Sequence, residues 1–287
     1  MQNKIFCKRG ANIAQLPLSR QQTFLKISRS KVRIGFIQSA PLENDPEGNA
    51  KTLLSAIKKL AVKKPDLILI PEFFLGGSKP LAFRPKLAAL YARTLDELKT
   101  LAKNYGVGIY GSLLEKVGPK YHNTAVLIGP KGEELARYRK IHLFQHDDEH
   151  KLVSAGATPV LVDTPWGSCA LLICYDLRFP ELLRSLTLQG AQFALVCAQW
   201  PTARADHWLT LIKARAIENQ VFVFAVNRTG EKRGSPFPGL SSAVSPWGDS
   251  ILQMRQQKSG LCFANLSEVT RIRKMFPVLK DAILWDK

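Results

Sequence analysis

Three residues of reactive types each follow a strand-like apolar run. Glu72 follows DLILIP, Lys140 follows ELARYR and Cys174 follows ALLI. Open α/β folds gather their chemistry at the carboxyl ends of strands, so a carboxylate, an amine and a thiol from distant parts of the chain can meet in one pocket there. We therefore take these three residues as the candidate catalytic set.

The three side chains fit one reaction, the attack of a thiol on a carbonyl carbon. A thiol is a poor nucleophile until a base or a cation helps to remove its proton. Glu72 can accept that proton, and Lys140 can favour the thiolate and then the oxyanion of the intermediate. The N–H of Tyr175 is the predicted second oxyanion donor. Structural roles stay open for each residue alone: a cap or ion pair, a solvated amine and a core thiol.

The elements that must position these residues alternate along the chain from about residue 31. Predicted strands cover 32–38, 66–70, 107–114, 122–129, 133–138, 169–173, 192–197, 220–226, 240–245, 250–254 and 261–266. Predicted helices cover 49–63, 86–104, 180–189 and 204–218, and Gly106 is placed to end the second of them. The turns at 129–132, 165–167 and 246–248 predict hairpins. Two mixed sheets face to face with helices outside would bury all the apolar faces.

The composition predicts one domain over residues 31–287. The chain has 287 residues, 46% hydrophobic and 22% charged, and no Gly/Ser/Pro-rich linker interrupts it. No apolar run approaches the ~20 residues that a bilayer-spanning helix needs, so no membrane association is expected. Five cysteines without CxxC spacing favour a reducing, cytoplasmic compartment.

The net charge of +18 raises the question of a nucleic-acid partner. Residues 1–33 hold eight Lys or Arg and no acidic residue, which leaves +10 scattered over the rest of the chain. Without a basic stripe or a nucleic-acid motif, no such partner is expected, although a basic binding protein stays as an alternative. Residues 1–30 are predicted to be a poorly ordered extension, and organelle-targeting segments share that composition.

Two further motifs suggest other kinds of site, for a dinucleotide and for a metal. The glycines of GVGIYG spell GxGxxG, but helix precedes strand there, and a dinucleotide site needs strand, turn and then helix. His142, His146 and His150 are spaced by four, as metal ligands on one helix face would be, yet the segment lies like a loop between strands. We expect no metal, and a metal-dependent hydrolase remains an alternative.

Four strings carry a family resemblance: LILIPEFFLGG (67–77), RYRKIHLF (137–144), ALLICYDLRFPELLR (170–184) and ARAIENQVFVFAVNRTG (214–230). They resemble the nitrilase, or carbon–nitrogen hydrolase, superfamily, in which Glu, Lys and Cys occur in this order. The resemblance implies an α-β-β-α four-layer sandwich that pairs with a second subunit as a homodimer or higher homo-oligomer. It also implies no metal or organic cofactor, and a second glutamate, Glu149, that holds Lys140 and assists proton transfer.

Within the superfamily, HLFQHDDEH, CYDLRFPELLR and AQWPTARADHW are most similar to omega-amidases, which act on 2-oxo-dicarboxylate monoamides. The chain departs from the usual Asn-Trp-Pro at Gln199, a residue expected to border the pocket and to bear on substrate preference. Arg204 is the predicted partner of an acidic substrate, with Trp200 and Tyr175 as pocket walls, whereas Arg178 is expected to form a structural ion pair with Asp176 or Glu181. A nitrile or an N-carbamoyl compound is the alternative substrate.

Overall fold

The computed structural model describes residues 30–42, 45–76, 84–232 and 234–282. Apart from Ser30, the predicted extension at residues 1–30 lies outside the described residues. Among the helices of the described part, none has the length and apolar character that crossing a membrane requires.

The described chain contains fourteen strands and six α-helices. The strands are β1 (Lys31–Ile37), β2 (Leu67–Leu69), β3 (Gly108–Val117), β4 (Lys120–Ile128), β5 (Glu134–Arg139), β6 (Leu161–Thr164), β7 (Gly167–Ile173), β8 (Phe193–Ala198), β9 (Phe222–Asn227), β10 (Thr229–Lys232), β11 (Ser235–Pro238), β12 (Ser242–Val244), β13 (Ser250–Gln253) and β14 (Ser259–Asn265). The helices are α1 (Pro46–Ala61), α2 (Arg84–Tyr105), α3 (Glu149–Leu152), α4 (Pro180–Leu188), α5 (Ala205–Asn219) and α6 (Ser267–Met275).

Two six-stranded mixed sheets form the centre of the fold. The first sheet has the order β14-β1-β2-β3-β4-β5, and the second has the order β13-β12-β9-β8-β7-β6. Three neighbouring strands are parallel in each sheet, β1 to β3 in the first and β7 to β9 in the second, while the outer pairings are antiparallel. Strands β10 and β11 form a separate hairpin.

Alternating side chains of the short strand β2 show how the layers stack. Leu67 and Leu69 belong to the core shared by the two sheets, whereas Ile68 packs with residues of α1 and α2. Successive side chains of a strand point to opposite faces, so this strand is covered on both sides. Across the inter-sheet core, the Tyr110 hydroxyl donates to the Leu172 carbonyl at 2.7 Å. The predicted α-β-β-α sandwich is confirmed.

The two long helices that cover the first sheet, α1 and α2, each bury one apolar face. Helix α1 begins at Pro46, three residues earlier than predicted, because the Asp45 side chain caps it by accepting from the Gly48 N–H at 2.8 Å. Gly106 has a φ of +63° and ends α2, as predicted. The apolar residues at helical spacing are buried: Leu53, Ile57, Leu60 and Ala61 in α1, and Leu87, Leu90, Tyr91, Leu95, Leu98 and Leu101 in α2.

Four elements lie outside the predicted ranges: strand β6, helix α3, the β10–β11 hairpin and helix α6. The hairpin carries charged residues and two prolines, so its sequence lacks the apolar alternation of a strand. In α6 only Val269 and Ile272 are buried, too narrow a stripe to stand out in the sequence. The GxGxxG motif spans the end of α2 and the strand β3, which is the helix-to-strand order that excludes a dinucleotide site.

A charge cluster braces the outer side of the β3–β4–β5 edge. The Glu115 carboxylate accepts from Arg139 Nε at 2.8 Å, from Thr124 Oγ1 at 2.9 Å and from Arg137 Nη1 at 2.9 Å. Burial alone would raise the pKa of Glu115, but the bonds from Arg139 and Thr124 and the charge of Arg137 outweigh it and lower the pKa to about 2. The folded chain therefore favours the ionised carboxylate.

This cluster predicts a pH-dependent contribution to stability. Because the folded-state pKa of Glu115 is lowered, its stabilisation is complete above the ordinary value of 4.5 and is lost as the pH falls through about 2. Glu115→Gln should lower the free energy of unfolding by about 2 kcal/mol at pH 7, and by less at pH 3. Urea unfolding at both pH values measures this, with Glu97→Gln on an exposed helix face as the control. A loss that is the same at both pH values would contradict the prediction.

Candidate active site

Glu72, Lys140 and Cys174 each lie just beyond the carboxyl end of a strand, as the sequence predicts. Glu72 follows β2, Lys140 follows β5 and Cys174 follows β7. Strands β2 and β5 belong to the first sheet and β7 to the second, so the three side chains approach one another from both sheets. The site is thus built by the stacking of the two sheets.

A buried ion cluster forms the floor of the site. Lys140 Nζ lies 3.0 Å from Glu72 Oε1 and 2.9 Å from Glu149 Oε2, and the lysine side chain is only 2% exposed. Burial alone would lower the pKa of Lys140, but the carboxylates of Glu149 and Glu72 outweigh it and raise the pKa well above its usual value. Burial likewise opposes the charge of Glu149, yet Lys140 and the Phe144 N–H hold the pKa of Glu149 below its usual value. Two carboxylates therefore share one ammonium.

Each of the two carboxylates has further donors. Asn123 Nδ2 donates to Glu72 Oε1 at 2.7 Å and to Glu149 Oε1 at 3.0 Å. A backbone N–H completes each set, from Gln199 to Glu72 Oε2 at 2.9 Å and from Phe144 to Glu149 Oε2 at 2.7 Å. Since Lys140 and Asn123 both occupy Oε1 of Glu72, Oε2 is the oxygen with a lone pair left to accept a proton.

The nucleophile candidate sits on a strained turn beside this cluster. Cys174 has a φ of +45°, a left-handed conformation that non-glycine residues rarely adopt, and its Sγ lies 3.8 Å from the Gln199 carbonyl oxygen. Burial first, and then the charge of Glu72, raise the pKa of the Cys174 thiol well above its usual value, although Lys140 opposes the rise. Burial and the Glu72 carboxylate thus favour the thiol form in the folded site, and the charge of Lys140 is the contribution that favours the thiolate.

A buried carboxylate joins the segments that carry Lys140 and Cys174. Asp176 accepts from the Tyr138 hydroxyl at 2.7 Å, from the backbone N–H and Nδ1 of His142 at 3.1 and 2.8 Å, and from the Ile173 N–H at 3.0 Å. Two of these donors flank Lys140 in sequence, and the third precedes Cys174. Asp176 therefore fixes the distance between the candidate base cluster and the candidate nucleophile.

Aromatic rings and two arginines lie near the ion cluster and the cysteine turn. The Tyr175 ring lies 5.0 Å from the Phe144 ring, and the guanidinium of Arg204 lies 5.3 Å above Phe144. The Arg178 guanidinium stacks over Trp200 at 4.7 Å and over Tyr175 at 6.0 Å. The predicted pocket residues Tyr175, Trp200 and Arg204 are thus brought into one aromatic and cationic cluster.

The expected ion pair of Arg178 with Asp176 or Glu181 is wrong. Asp176 is taken up by Tyr138 and by neighbouring N–H groups, as described above, and Arg178 Nη2 lies 3.1 Å from Nδ1 of His207. Neighbours in sequence suggested the pair, but the one-turn helix after Cys174 points the two side chains to different partners. Within the described residues neither Arg178 nor Arg204 is paired with a carboxylate, so both are candidates for binding an anionic group.

Gln199 connects Glu72 with the cysteine turn. Its side-chain Nε2 donates to the Glu72 carbonyl oxygen at 2.9 Å, in addition to the backbone bond to the Glu72 carboxylate. Its own carbonyl oxygen is the one that Cys174 Sγ approaches. The side-chain nitrogen of Gln199 is thus bound to the main chain of Glu72. This residue therefore stabilises the site in addition to bordering it.

Sequence reasoning missed Asn123 and the bracing role of Asp176. The available signal for Asn123 was an amide side chain within the strand KYHNTAVLI, whose other residues from 124 onward are buried and mostly apolar. For Asp176 no local signal existed, because its partner Tyr138 lies 38 residues away in the chain.

The three histidines spaced by four do not form a metal centre. His142 is bound to Asp176 and stacks on Phe179 with ring centroids 3.8 Å apart, and His146 packs near Phe144 in a short 3-10 turn. Throughout the described ranges, no group of three or more His, Cys, Asp or Glu side chains could hold a metal ion.

Comparison with known proteins places this site in a family. The family model for carbon–nitrogen hydrolases matches residues 33–274. A 2-oxoglutaramate amidase of Bacillus subtilis (strain 168) is 37% identical over 240 residues, which cover 82% of this chain and 92% of that protein. A deaminated glutathione amidase of Dictyostelium discoideum is 31% identical, with 90% and 96% covered. The crystal structure of a carbon–nitrogen hydrolase superfamily protein from Xanthomonas campestris superposes with a TM-score of 0.83 at 29% identity, covering 89% of this chain and 98% of that one.

The chain belongs to the carbon–nitrogen hydrolase family. It is a hydrolase of carbon–nitrogen bonds other than peptide bonds, an amidohydrolase similar to omega-amidases. The resemblance drawn from the four sequence strings is thereby confirmed.

Proposed function

We propose that the chain hydrolyses a small amide through a thioester on Cys174. As the sulfur attacks the amide carbon, Glu72 takes the thiol proton, and the oxyanion forms near Lys140 and the Tyr175 N–H. Glu72 then gives the proton to the leaving nitrogen, which departs as ammonia. Water attacks the thioester while Glu72 takes a proton from it, and the acid leaves as that proton returns to sulfur. The observation that carries the proposal is that Cys174 lies beside the Glu72–Lys140–Glu149 cluster, with its Sγ 3.8 Å from the carbonyl oxygen of Gln199, whose backbone N–H binds Glu72 Oε2.

Glu149 assists this cycle by holding the lysine. Its carboxylate lies within hydrogen-bond distance of Lys140 through both oxygens, at 2.9 and 3.2 Å. With Glu72, it offers an acceptor for each of the three ammonium protons. Lys140 therefore acts on the oxyanion chiefly through its fixed charge in a site of low dielectric constant.

For the substrate we propose a 2-oxo-dicarboxylate monoamide such as 2-oxoglutaramate. The support is the name of the Bacillus relative, a 2-oxoglutaramate amidase, and the two guanidinium groups beside the aromatic cluster. The Dictyostelium relative, a deaminated glutathione amidase, favours a second candidate with the same acidic character. Nitriles and N-carbamoyl compounds remain the third class to compare.

We propose further that residues 31–287 form one catalytic domain in a reducing compartment, with residues 1–30 outside it and without a nucleic-acid or membrane partner. In support, the family match begins at residue 33, and β14 pairs with β1 so that the first and last strands share one sheet. The cysteines in the described chain, Cys169, Cys174, Cys197 and Cys262, are all free thiols.

Replacing Cys174 tests the proposed mechanism. Cys174→Ala should reduce ammonia release from the best amide at least ~10³-fold while leaving the circular dichroism spectrum unchanged, because only the nucleophile is lost. Cys262→Ala, which removes a buried thiol outside the site, is the control. Mass spectrometry of wild-type protein mixed with each candidate should find an acyl adduct on the Cys174 peptide. Normal turnover by the Cys174→Ala protein, or inhibition by a chelator, would reject the mechanism.

Replacing the arginines tests the substrate class. Arg204→Met or Arg178→Met should raise KM for 2-oxoglutaramate about 10- to 100-fold, because a hydrogen bond between two charged groups is lost. The KM for an uncharged amide of similar length should change little. Arg93→Met on the exposed face of α2 is the matched control. If neither variant separates the acidic from the uncharged amide, these arginines do not bind the substrate carboxylate.

We propose that the chain forms a homodimer through the apolar face at the end of α5 and α6. Four side chains there are about half exposed, and the rings of two of them are in edge-to-face contact: Ile217, Trp247, Met275 and Phe276. Contiguous exposed apolar patches of this kind mark interaction sites. A second copy is the occupant that the family resemblance implies.

Changing the central ring of this face tests the dimer. Trp247→Lys should halve the mass measured by light scattering after gel filtration, since a buried lysine would need a partner charge. Val62→Lys, at a similarly exposed position at the end of α1, should keep the wild-type mass. A wild-type chain that is monomeric at micromolar concentration would refute this interface.

A further inference from the structure

Asn123 is a fully buried side chain on β4, the strand next to the edge strand β5 of the first sheet, and it reaches the ion cluster. It lies on β4, where its backbone carbonyl accepts from the Lys140 N–H at 2.8 Å. Its side-chain nitrogen donates to the carboxylates of Glu72 and Glu149 at 2.7 and 3.0 Å. One residue therefore anchors the main chain of the lysine and both of its acidic partners.

The amide nitrogen of Asn123 repeats, without charge, the bridge that the ammonium of Lys140 makes. Both groups bind Oε1 of Glu72 and the carboxylate of Glu149. The two protons on Nδ2 match the two carboxylates, one for each. The acidic pair thus accepts two hydrogen bonds from Asn123 in addition to the three from Lys140, while the cluster keeps one excess negative charge.

The other end of the amide shows which interaction sets its orientation. Oδ1 of Asn123 is buried and has no hydrogen-bond partner. A buried acceptor without a partner is unfavourable, but turning the amide over would place this oxygen against two carboxylate oxygens. The donation to Glu72 and Glu149 therefore decides how Asn123 is oriented, at the expense of its own carbonyl.

We propose that Asn123 is a positioning residue that holds the Glu72 carboxylate with Oε2 turned toward the cysteine. This inference rests on the proposed role of Glu72 as the proton acceptor. By occupying Oε1 together with Lys140, Asn123 leaves Oε2 as the oxygen that can take the thiol proton. Its lack of charge matters, because a second cation would neutralise the cluster and weaken Glu72 as a base.

Losing the two hydrogen bonds from Asn123 should destabilise the charged form of the carboxylates that accept them. Hydrogen bonds to a carboxylate favour its ionised form, so we expect their removal to move the acid limb of the activity profile to higher pH. The titratable groups that face Glu72 from the surrounding elements are Lys140, Glu149, Cys174 and, in β8, Cys197. Removing Asn123 changes none of their charges, so the shift comes from the lost amide bonds.

The test compares Asn123→Leu and Asn123→Ser with the wild type between pH 5 and pH 9. Asn123→Leu removes both bonds at similar volume and should lower kcat about 10- to 100-fold at neutral pH, with KM within about threefold. The midpoint of the acid limb of the kcat profile should rise by about one pH unit. Asn123→Ser offers one hydroxyl donor and should raise this midpoint by less. If the leucine variant does not fold, the serine variant alone provides the test.

Asn219→Leu is the matched control, because Asn219 is also fully buried and its Oδ1 also has no partner, but its amide binds Arg215 and Glu218 in α5. This variant should lose stability without a shifted pH profile. The alkylation rate of Cys174 by iodoacetamide, followed by mass spectrometry, gives a readout that needs no substrate.

The possible results distinguish a failure of the role of Asn123 from a failure of the proposed function. If the folded Asn123 variants keep the wild-type pH profile while Cys174→Ala is inactive, the role of Asn123 is wrong and the proposed function stands. If Cys174→Ala retains activity, the proposed function itself fails. A rise in the acid limb that is equal in the Asn219→Leu control would show a general loss of stability and would overturn the positioning role.

Discussion

Two carboxylates and one ammonium share a site from which water is largely excluded. Charges in such an environment are costly unless they are paired and hydrogen-bonded, so the Glu72–Lys140–Glu149 cluster demands a full set of donors around it. Asn123 and two backbone N–H groups supply that set. One excess negative charge remains on the cluster, and the proposed transfer of the Cys174 proton to Glu72 depends on it.

For this site, the sandwich matters because it places strand ends of the two sheets next to each other. Strand β5 of the first sheet ends before Lys140, and strand β7 of the second ends before Cys174. Asp176 binds groups next to both residues, so it ties the end of one sheet to the end of the other. The strained φ of Cys174 is tolerated because this surrounding network fixes the turn.

Sequence alone predicts most of the fold because its signals are local. The apolar stripe of α2 and the Pro-Trp-Gly turns depend only on spacing within one segment. Reactive residues at strand ends were found in the same way. Asn123 and Arg178 show the limit, because their partners come from other strands and turns. A residue whose role depends on the register of several segments carries no signal in its own neighbourhood, and adjacent charges misled the interpretation of Arg178.

In the first sheet, β1 pairs with the edge strand β14, although the two strands are more than two hundred residues apart in the chain. Gln38, just after β1, also binds the carbonyl oxygens of Arg255 and Gln257. During synthesis on the ribosome, β1 emerges first and must wait for almost the whole chain before its partner appears. Until then its edge exposes unpaired peptide groups, which makes the nascent chain a candidate for chaperone protection and any C-terminally shortened product prone to aggregate.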